Sequence, residues 1–472
     1  MKTLLLRAEY PYGKPQTWLP MDLHKIAASF EAGGTPTDVV DLNLEPFPNL
    51  EQYDTIGIGV IGMPYIPVVQ RIARDVYEKT GKKPLIGGQI IQYFRPDEFQ
   101  KIYPNAVQVF GDVNITLPHE NASFSGKKTM TNLVLKKRGI EALPIEHVSI
   151  ADRIKKMPEE LLKTYLKNDF GFYVSQGCKY GCKFCSAKKN RREEFSEPIV
   201  MEKDLDAICE SAQRFNLSEI RLYLSSLDLF QNPREFKDVL ELVSNARQKY
   251  KLDIRTRGLS RCDSFLTALD KFPELYTLIP KSGLHTVGFG VDGTTQKTWN
   301  EQHKRNKSLS EFETTFKICK KLNVTPESLM VTGFHHPDSY KGSINELNRT
   351  VRYAIEWADE IKYGALCRPH VAKDCSPGNE GWDSPKWASL RARLVENPES
   401  FKSLDYLMEA TDLSHPFVDF RGRVNDAYWK IIDNLGPRCV TVPLKPYPDR
   451  GMYAKESKAA ADAFNSQMSF DR

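Results

Sequence analysis

Twice along the chain, short apolar runs of strand length alternate with stretches of helical periodicity, and that pattern leaves few folds open. The first series occupies residues 3–9, 23–31, 38–42, 55–62, 68–77, 84–90, 97–102 and 107–110. Two parallel neighbours need a crossover that a helix supplies, so this alternation predicts βαβ units on a parallel sheet. Glycines fall at the strand ends: Gly57, Gly59 and Gly62, then Gly87 and Gly88, then Gly111. Loops at the carboxyl edge of such a sheet are where ligands are met. The second series places strands at 172–175, 219–224, 253–257, 286–291, 328–333 and 360–365, with helices at 205–215, 234–250, 309–322 and 344–357. Six strand–helix units predict a partial (β/α)6 barrel of the TIM type.

The expected fold class is therefore α/β. A Rossmann-like domain spans 1–120, a polar linker with one short helix near 159–166 spans 121–168, the barrel spans 169–378, and a small C-terminal region spans 379–472. That last region carries Trp382, Trp387 and Trp429 but no readable motif, and it is expected to cap the barrel and choose the substrate. A chain of 472 residues with 40% hydrophobic and 27% charged content can bury proper cores. It contains no apolar run of about twenty residues, and its apolar N-terminal stretch, Leu4 to Leu6, is too short for a signal peptide. The expectation is a soluble, cytoplasmic protein with no membrane partner. A net charge of +5 is a weak bias, short of what a dedicated nucleic-acid binder shows.

Nine cysteines without an export signal point to thiol or metal chemistry, since a reducing compartment does not maintain disulfides. Three of them cluster. In Gln176-Gly177-Cys178-Lys179-Tyr180-Gly181-Cys182-Lys183-Phe184-Cys185 the thiolates follow the first strand of the second series, on a loop at its carboxyl end. Thiolates at that spacing can fold round one cubane and leave one of its four irons without a protein sulfur, open to a small molecule. A structural zinc site is the alternative, but it wants four ligands, and the nearest downstream histidine is His285. The basic run Lys188, Lys189, Arg191 and Arg192 that follows reads either as a solvated turn or as a counter-charge for a carboxylate or RNA phosphates.

Cys-x3-Cys-x2-Cys with Phe184 before the last cysteine resembles the signature of the radical S-adenosylmethionine (SAM) superfamily. The resemblance implies a [4Fe–4S] cluster on Cys178, Cys182 and Cys185. It also implies SAM chelated to the open iron, and its reductive cleavage to a 5'-deoxyadenosyl radical with an electron from a donor such as flavodoxin or ferredoxin. It places Phe184 near the adenine, Ser225 near the methionyl amine, Asp292 near the ribose, and Gly333 at the strand end that packs on adenine. Ser225-Ser226-Leu227-Asp228 departs from the family there, having no paired glycines. Asp292 also reads as a helix N-terminal charge, and His335 and His336 as polar loop residues or as groups facing the substrate.

A Rossmann-like unit ahead of such a barrel resembles the cobalamin-binding subfamily, whose class B members are methyltransferases. Gly59, Gly62, Gly87 and Gly88 then supply loops of little bulk under a corrin; the alternative is a domain of this fold that only supports the barrel. Asp22-Leu23-His24 nearly matches a cobalt-ligating motif with Ala27 where a glycine belongs, but the stretch also reads as an amphipathic helix with Leu23, Ile26, Ala27 and Phe30 inward, leaving the cobalt face unligated. The implied function is cobalamin-dependent methylation of an unactivated carbon. The alternatives are a radical rearrangement, cyclisation or oxidation without methyl transfer and, more remotely, a non-catalytic metal-binding module. The substrate stays open among small molecule, peptide and RNA.

Overall fold

Leu4, Leu5 and Leu6 are buried in succession, the mark of a strand covered on both faces, and they form the inside of the first sheet. The computed structural model describes residues 1–10, 17–60, 62, 65–88, 91, 94–110, 129–182, 185, 193–306, 308–334, 339–361, 366–371, 395–397 and 420–435. Strands β1 (Thr3–Arg7), β2 (Thr37–Asp41), β3 (Thr55–Gly59), β4 (Leu85–Gly87), β5 (Val107–Phe110) and β6 (Thr129–Met130) pair in parallel in the order β2-β1-β3-β4-β5-β6. Helix α1 (Met21–Ala32) buries Leu23, Ala27 and Phe30, the face expected of it. Helices α2 (Ile66–Thr80) and α3 (Pro96–Ile102) supply the crossovers.

The chain divides into two compact units, the first built mainly from Met1–Tyr173 and Phe195–Ile220, the second mainly from Val174–Glu194 and Arg221–Ala388. Where the sequence suggested a polar stretch with one helix, three helices form: α4 (Thr131–Lys137), α5 (Ala151–Lys156) and α6 (Glu159–Leu166). The reason is a scatter of apolar anchors among the charges. Val134, Leu135 and Ile140 pack into the cluster that holds Leu5, Leu23, Phe30 and Val109, and Ile154, Leu162 and Tyr165 are buried as well. After α6 come β7 (Asp169–Tyr173) and, further on, α7 (Pro198–Arg214).

In the second unit, β8 (Ser175–Gln176) and β9 (Glu194–Phe195) bracket the cysteine loop in sequence. Strands β10 (Glu219–Ser225), β11 (Asp253–Ser260), β12 (Leu284–Gly290), β13 (Thr325–Thr332) and β14 (Leu366–Val371) then run side by side in the order β14-β13-β12-β11-β10, with β11 to β14 parallel. Helices α8 (Pro233–Tyr250), α9 (Cys262–Lys271), α10 (Leu275–Ser282), α11 (Gln296–Glu301), α12 (Leu309–Lys321) and α13 (Tyr340–Ile361) alternate with them, and α14 (Phe420–Leu435) follows. The core between sheet and helices is an aromatic chain, Phe236–Phe230–Phe265–Phe289–Phe316, with successive ring centroids 4.8 to 5.9 Å apart.

Five of the six expected strands of this series form where expected. The sixth does not: residues 360 and 361 close α13, and β14 begins at Leu366, paired with Glu327. No glycine or proline interrupts the chain between Gly342 and Gly364, so nothing stops the helix where its apolar periodicity weakens. Among the described residues no helix is long and apolar enough to cross a membrane.

Two buried charges tie α1 to its surroundings. Lys25 Nζ donates to Val148 O at 2.8 Å and to Asp204 Oδ2 at 2.9 Å, while Asp204 Oδ1 accepts from Ile150 N at 2.7 Å. Removing one partner of such a pair strands a charge, so Lys25→Met should lower the unfolding free energy by about 3–5 kcal/mol in denaturant titration. One residue earlier, His24 Nδ1 accepts from Arg153 Nε at 3.3 Å, and burial together with the Arg153 charge pushes the imidazole down to about 3. The unfolded chain binds that proton near its ordinary value of about 6.5, so the contribution of neutral His24 is present above that pH and is lost as pH falls towards 3. His24→Gln should therefore lose less thermal stability than the parent protein between about pH 7 and pH 4.5.

Candidate functional site

The cysteine loop is held from behind by one amide. Gln231 Nε2 donates to Gly177 O at 3.1 Å, Gln231 Oε1 accepts from Lys179 N at 3.1 Å, and Gln231 O accepts from Lys179 Nζ at 2.7 Å. Gly177 turns the chain at φ 93°, a conformation costly to a residue with a Cβ. At its start the loop is fixed by Ser175 Oγ, which donates to Glu193 Oε1 at 2.7 Å, and by Val174 N, which donates to Ser225 O at 3.3 Å. Cys185 N closes the far end on Cys182 O at 3.1 Å.

Cys178, Cys182 and Cys185 are half-buried, whereas Cys209, Cys262 and Cys319 are fully buried. The loop thiols are thus the accessible ones among these six. No three His, Cys, Asp or Glu side chains among the described residues converge on a point that one metal ion could occupy. A cubane asks for a different arrangement, since each thiolate takes its own iron. Burial pushes the Cys178 thiol up to about 11; it also raises Cys182, against the pull of Lys304 and Arg261. In the metal-free protein these groups stay protonated, and iron binding has to displace their protons.

Around the loop stand the carboxyl ends of the strands. Ser225 ends β10, half-buried, and three residues on Asp228 is fully buried: Oδ1 accepts from Ser260 Oγ at 2.7 Å, Oδ2 from Ser264 Oγ at 2.7 Å. Burial raises the Asp228 carboxyl, opposed by these hydroxyls and by Arg261. Arg261, at the end of β11, lays its guanidinium over the Tyr180 ring at 4.0 Å and brings Nη1 to 3.9 Å from Cys182 Sγ. Asp292, after β12, has a left-handed φ of 45° and forms a buried ion pair with Lys304, whose Nζ also donates to Gly290 O at 2.6 Å. A Cβ on Gly290 would come within 2.6 Å of Asp292 Oδ2, so glycine there makes room for the pair. Gly333 follows β13 at φ 88°.

Cys178, Cys182, Cys185, Ser225, Asp292 and Gly333 thus all belong to the second unit, the last three at the carboxyl ends of its strands. Phe184, the basic run at 188–192, His335, His336 and Cys375 lie outside the described residues, as does most of 379–472, including Trp382 and Trp387. Gln231, Arg261 and Lys304 are the contributors that sequence reading passes over. Their only signal is a polar residue in a loop that follows a strand or helix, which many surface residues share.

In the first unit, Gly59, Gly87 and the neighbouring Gly62 and Gly88 lie at the carboxyl ends of β3 and β4. Two of them answer to packing. A Cβ on Gly87 would sit 2.9 Å from Val109 Cγ2, and one on Gly88, at φ 118°, would sit 2.3 Å from Val60 O. Gly59 has only Leu23 Cδ2 in ordinary contact at 3.6 Å, and Gly62 O accepts from Tyr65 N at 3.1 Å. A cavity of about 340 Å3 lies elsewhere, beside edge strand β2, lined by His24, Asp38, Asp41, Tyr53, Arg153 and Tyr165 among others. None of the four glycines borders it.

Residues 172–347 match the model of the Radical SAM superfamily. No curated protein matches the chain. Among solved structures, the radical SAM methyltransferase TsrM from Kitasatospora setae, with cobalamin and a [4Fe–4S] cluster bound, aligns at TM-score 0.53 and 13% identity, over 78% of this chain and 72% of that one. The cobalamin-dependent SAM radical enzyme OxsB, with aqua-cobalamin and SAM bound, aligns at TM-score 0.54 and 14% identity, over 85% of this chain and 56% of that one. At such identities the likeness establishes a common fold, not a common reaction. Residues 172–347 thus carry a Radical SAM superfamily domain, set within a chain whose fold resembles those of TsrM and OxsB.

Proposed function

We propose that this radical SAM enzyme carries out a cobalamin-dependent methylation of an unactivated carbon. The observation that carries the radical chemistry is the set of three accessible thiols on one loop, braced by Gln231 and ringed by strand ends. When bound, the [4Fe–4S] cluster supplies the electron that cleaves SAM to a 5'-deoxyadenosyl radical, and cobalamin supplies the methyl group for the substrate carbon. Cys178, Cys182 and Cys185 would hold the cluster, with one iron left for the methionyl amine and carboxylate of SAM.

The chain's own residues then position SAM. Lys304 takes Asp292 Oδ2 and so turns the carboxylate into one orientation, leaving Oδ1 to accept from a ribose hydroxyl. Gly290 leaves room for that pair, and Gly333, at φ 88°, keeps bulk away from the nucleoside. Ser225 offers a hydroxyl near the methionyl amine, a position at which Asp228 is already committed to Ser260 and Ser264. Phe184 is assigned to the adenine from its place in the cysteine motif alone.

Support for cobalamin is the carboxyl end of β3 at Gly59, where a side chain would meet only an ordinary contact, together with the fold shared with two cobalamin enzymes. His24 stays off the cobalt in this reading, because its Nδ1 is taken by Arg153 and it lies beside β2, separated from β4 by β1 and β3. An electron donor such as flavodoxin or ferredoxin serves the cluster, and the region 379–472 selects the substrate. A radical reaction without methyl transfer is the second reading, favoured by the packing that already accounts for Gly87 and Gly88.

Anaerobic reconstitution with iron, sulfide and cobalamin tests both. Iron–sulfur absorption near ~400 nm with corrin bands selects methyl transfer, and the same absorption without corrin selects the second reading. Dithionite should then release 5'-deoxyadenosine from SAM. Cys182→Ala should abolish that release while corrin uptake persists, because the two sites belong to separate compact units. Retained cleavage in Cys182→Ala overturns the ligand assignment.

A further inference from the structure

Arg261 is buried, 6% exposed, and Asp263 takes two of its three guanidinium nitrogens. Nε donates to Asp263 Oδ1 at 2.9 Å and Nη2 to Asp263 Oδ2 at 3.0 Å, a two-point fork that fixes the plane. One face lies on the Tyr180 ring at 4.0 Å, and Tyr180 is itself within 3.0 Å of Ser264 Oγ, which donates to Asp228. The backbone N–H of Arg261 donates to the same Asp228, at 3.3 Å. What is left over is Nη1, and it sits 3.9 Å from Cys182 Sγ. An Arg–Asp pair with one partner partly exposed contributes little net stability, so stability alone does not account for desolvating Arg261 at a thiol.

We infer that Arg261 is a positioning residue for electron transfer, a fixed cation whose Nη1 raises the reduction potential of the cluster held by Cys182. The inference rests on the cluster assignment above. Three thiolates make the cluster anionic, and an added electron makes it more so; a cation at a ligating sulfur therefore favours the reduced form. Asp263 opposes that effect, but it grips the guanidinium by Nε and Nη2, away from the corner that meets the sulfur. The corner of the Arg261–Asp263 pair that meets Cys182 is thus the cationic one.

Two substitutions then act with opposite sign. Arg261→Gln keeps an amide donor but removes the cation and leaves Asp263 uncompensated, which should drive the midpoint negative. Asp263→Asn removes the opposing carboxylate and should drive it positive. A residue that merely braced the loop would give shifts of the same sign in both variants, or none.

The test is a potentiometric titration of the full-length reconstituted protein, with no SAM added, followed by electron paramagnetic resonance of the reduced cluster. Dithionite supplies the one electron that each cluster takes up. Arg261→Gln should reduce the reduced-to-oxidised ratio at fixed potential at least tenfold, a shift of about 59 mV for one electron, and Arg261→Lys should recover part of it. Midpoints unchanged in both Arg261→Gln and Asp263→Asn, or moved in one direction by both, overturn the inference. If Arg261→Gln takes up no cluster, the sign of the Asp263→Asn shift decides alone. A parent protein that takes up no iron removes the cluster reading, and this inference falls with it.

Discussion

One buried carboxylate organises the second unit's working end. Asp228 sits in the loop after β10, yet its partners are on the next strand and helix: the hydroxyls of Ser260 and Ser264 and the N–H of Arg261. A carboxylate so placed accepts enough hydrogen bonds to offset part of its desolvation, and it is costly to leave unpaired. Its neighbour Gln231 reaches the cysteine loop at Gly177 and Lys179. The loop after β10 is therefore the clasp between the cysteine loop and the β11–α9 junction, and the position of the thiols depends on it. The departure from the family's paired glycines at 225–228 takes on a physical meaning here. A hydroxyl-laden clasp stands where the family often has paired glycines, as the sequence Ser225-Ser226-Leu227-Asp228 already indicates.

The parallel sheets explain why the polar groups gather. In each unit the strands end along one edge, where the sheet's own hydrogen bonding stops and the backbone turns towards a helix. Arg261, Asp292 and Gly333 each lie within about three residues of such an end, and two of them adopt positive φ. The positive φ at Asp292 is of the kind that persists only when neighbours over-determine it, and Lys304 together with the N–H of Asp292 donating to Leu329 O does so.

How much of this was legible in the sequence depended on how local its cause is. The cysteine loop could be read because ligand spacing is a property of seven or eight consecutive residues. Five strands of the barrel series could be read because their apolar runs are bounded by polar or glycine residues. The sixth was misplaced because α13 has no stop signal before Gly364, so pattern alone could not separate its last turn from a strand. The helices α4 and α5 escape pattern for the converse reason, being short elements whose few apolar residues matter only in place: Val134 and Leu135 of α4 in the cluster with Leu5 and Phe30, and Ile154 of α5 buried. Arg261 and Lys304 were illegible in kind. Each works through a residue far away in sequence or across a turn, Cys182 for the first and Asp292 for the second, and no spacing rule encodes that.

The glycines show the limit from the other side. Gly87 and Gly88 were read as space for a ligand, and the structure shows Val109 and the Val60 carbonyl already occupying the place of a side chain. A glycine demanded by its own sheet cannot also be counted as evidence for a corrin, whereas Gly59, with only an ordinary contact to Leu23, retains its value as such a signal. The charges of the second unit sort the same way. Asp292 is neutralised by Lys304 and Asp263 by Arg261, so the site is built from fixed pairs before any cofactor enters. Dipoles already oriented need little reorganisation when charge arrives beside them. That is the environment in which a cubane could take up an electron with its surroundings already in place, and it follows from the pairing whichever reaction the substrate undergoes.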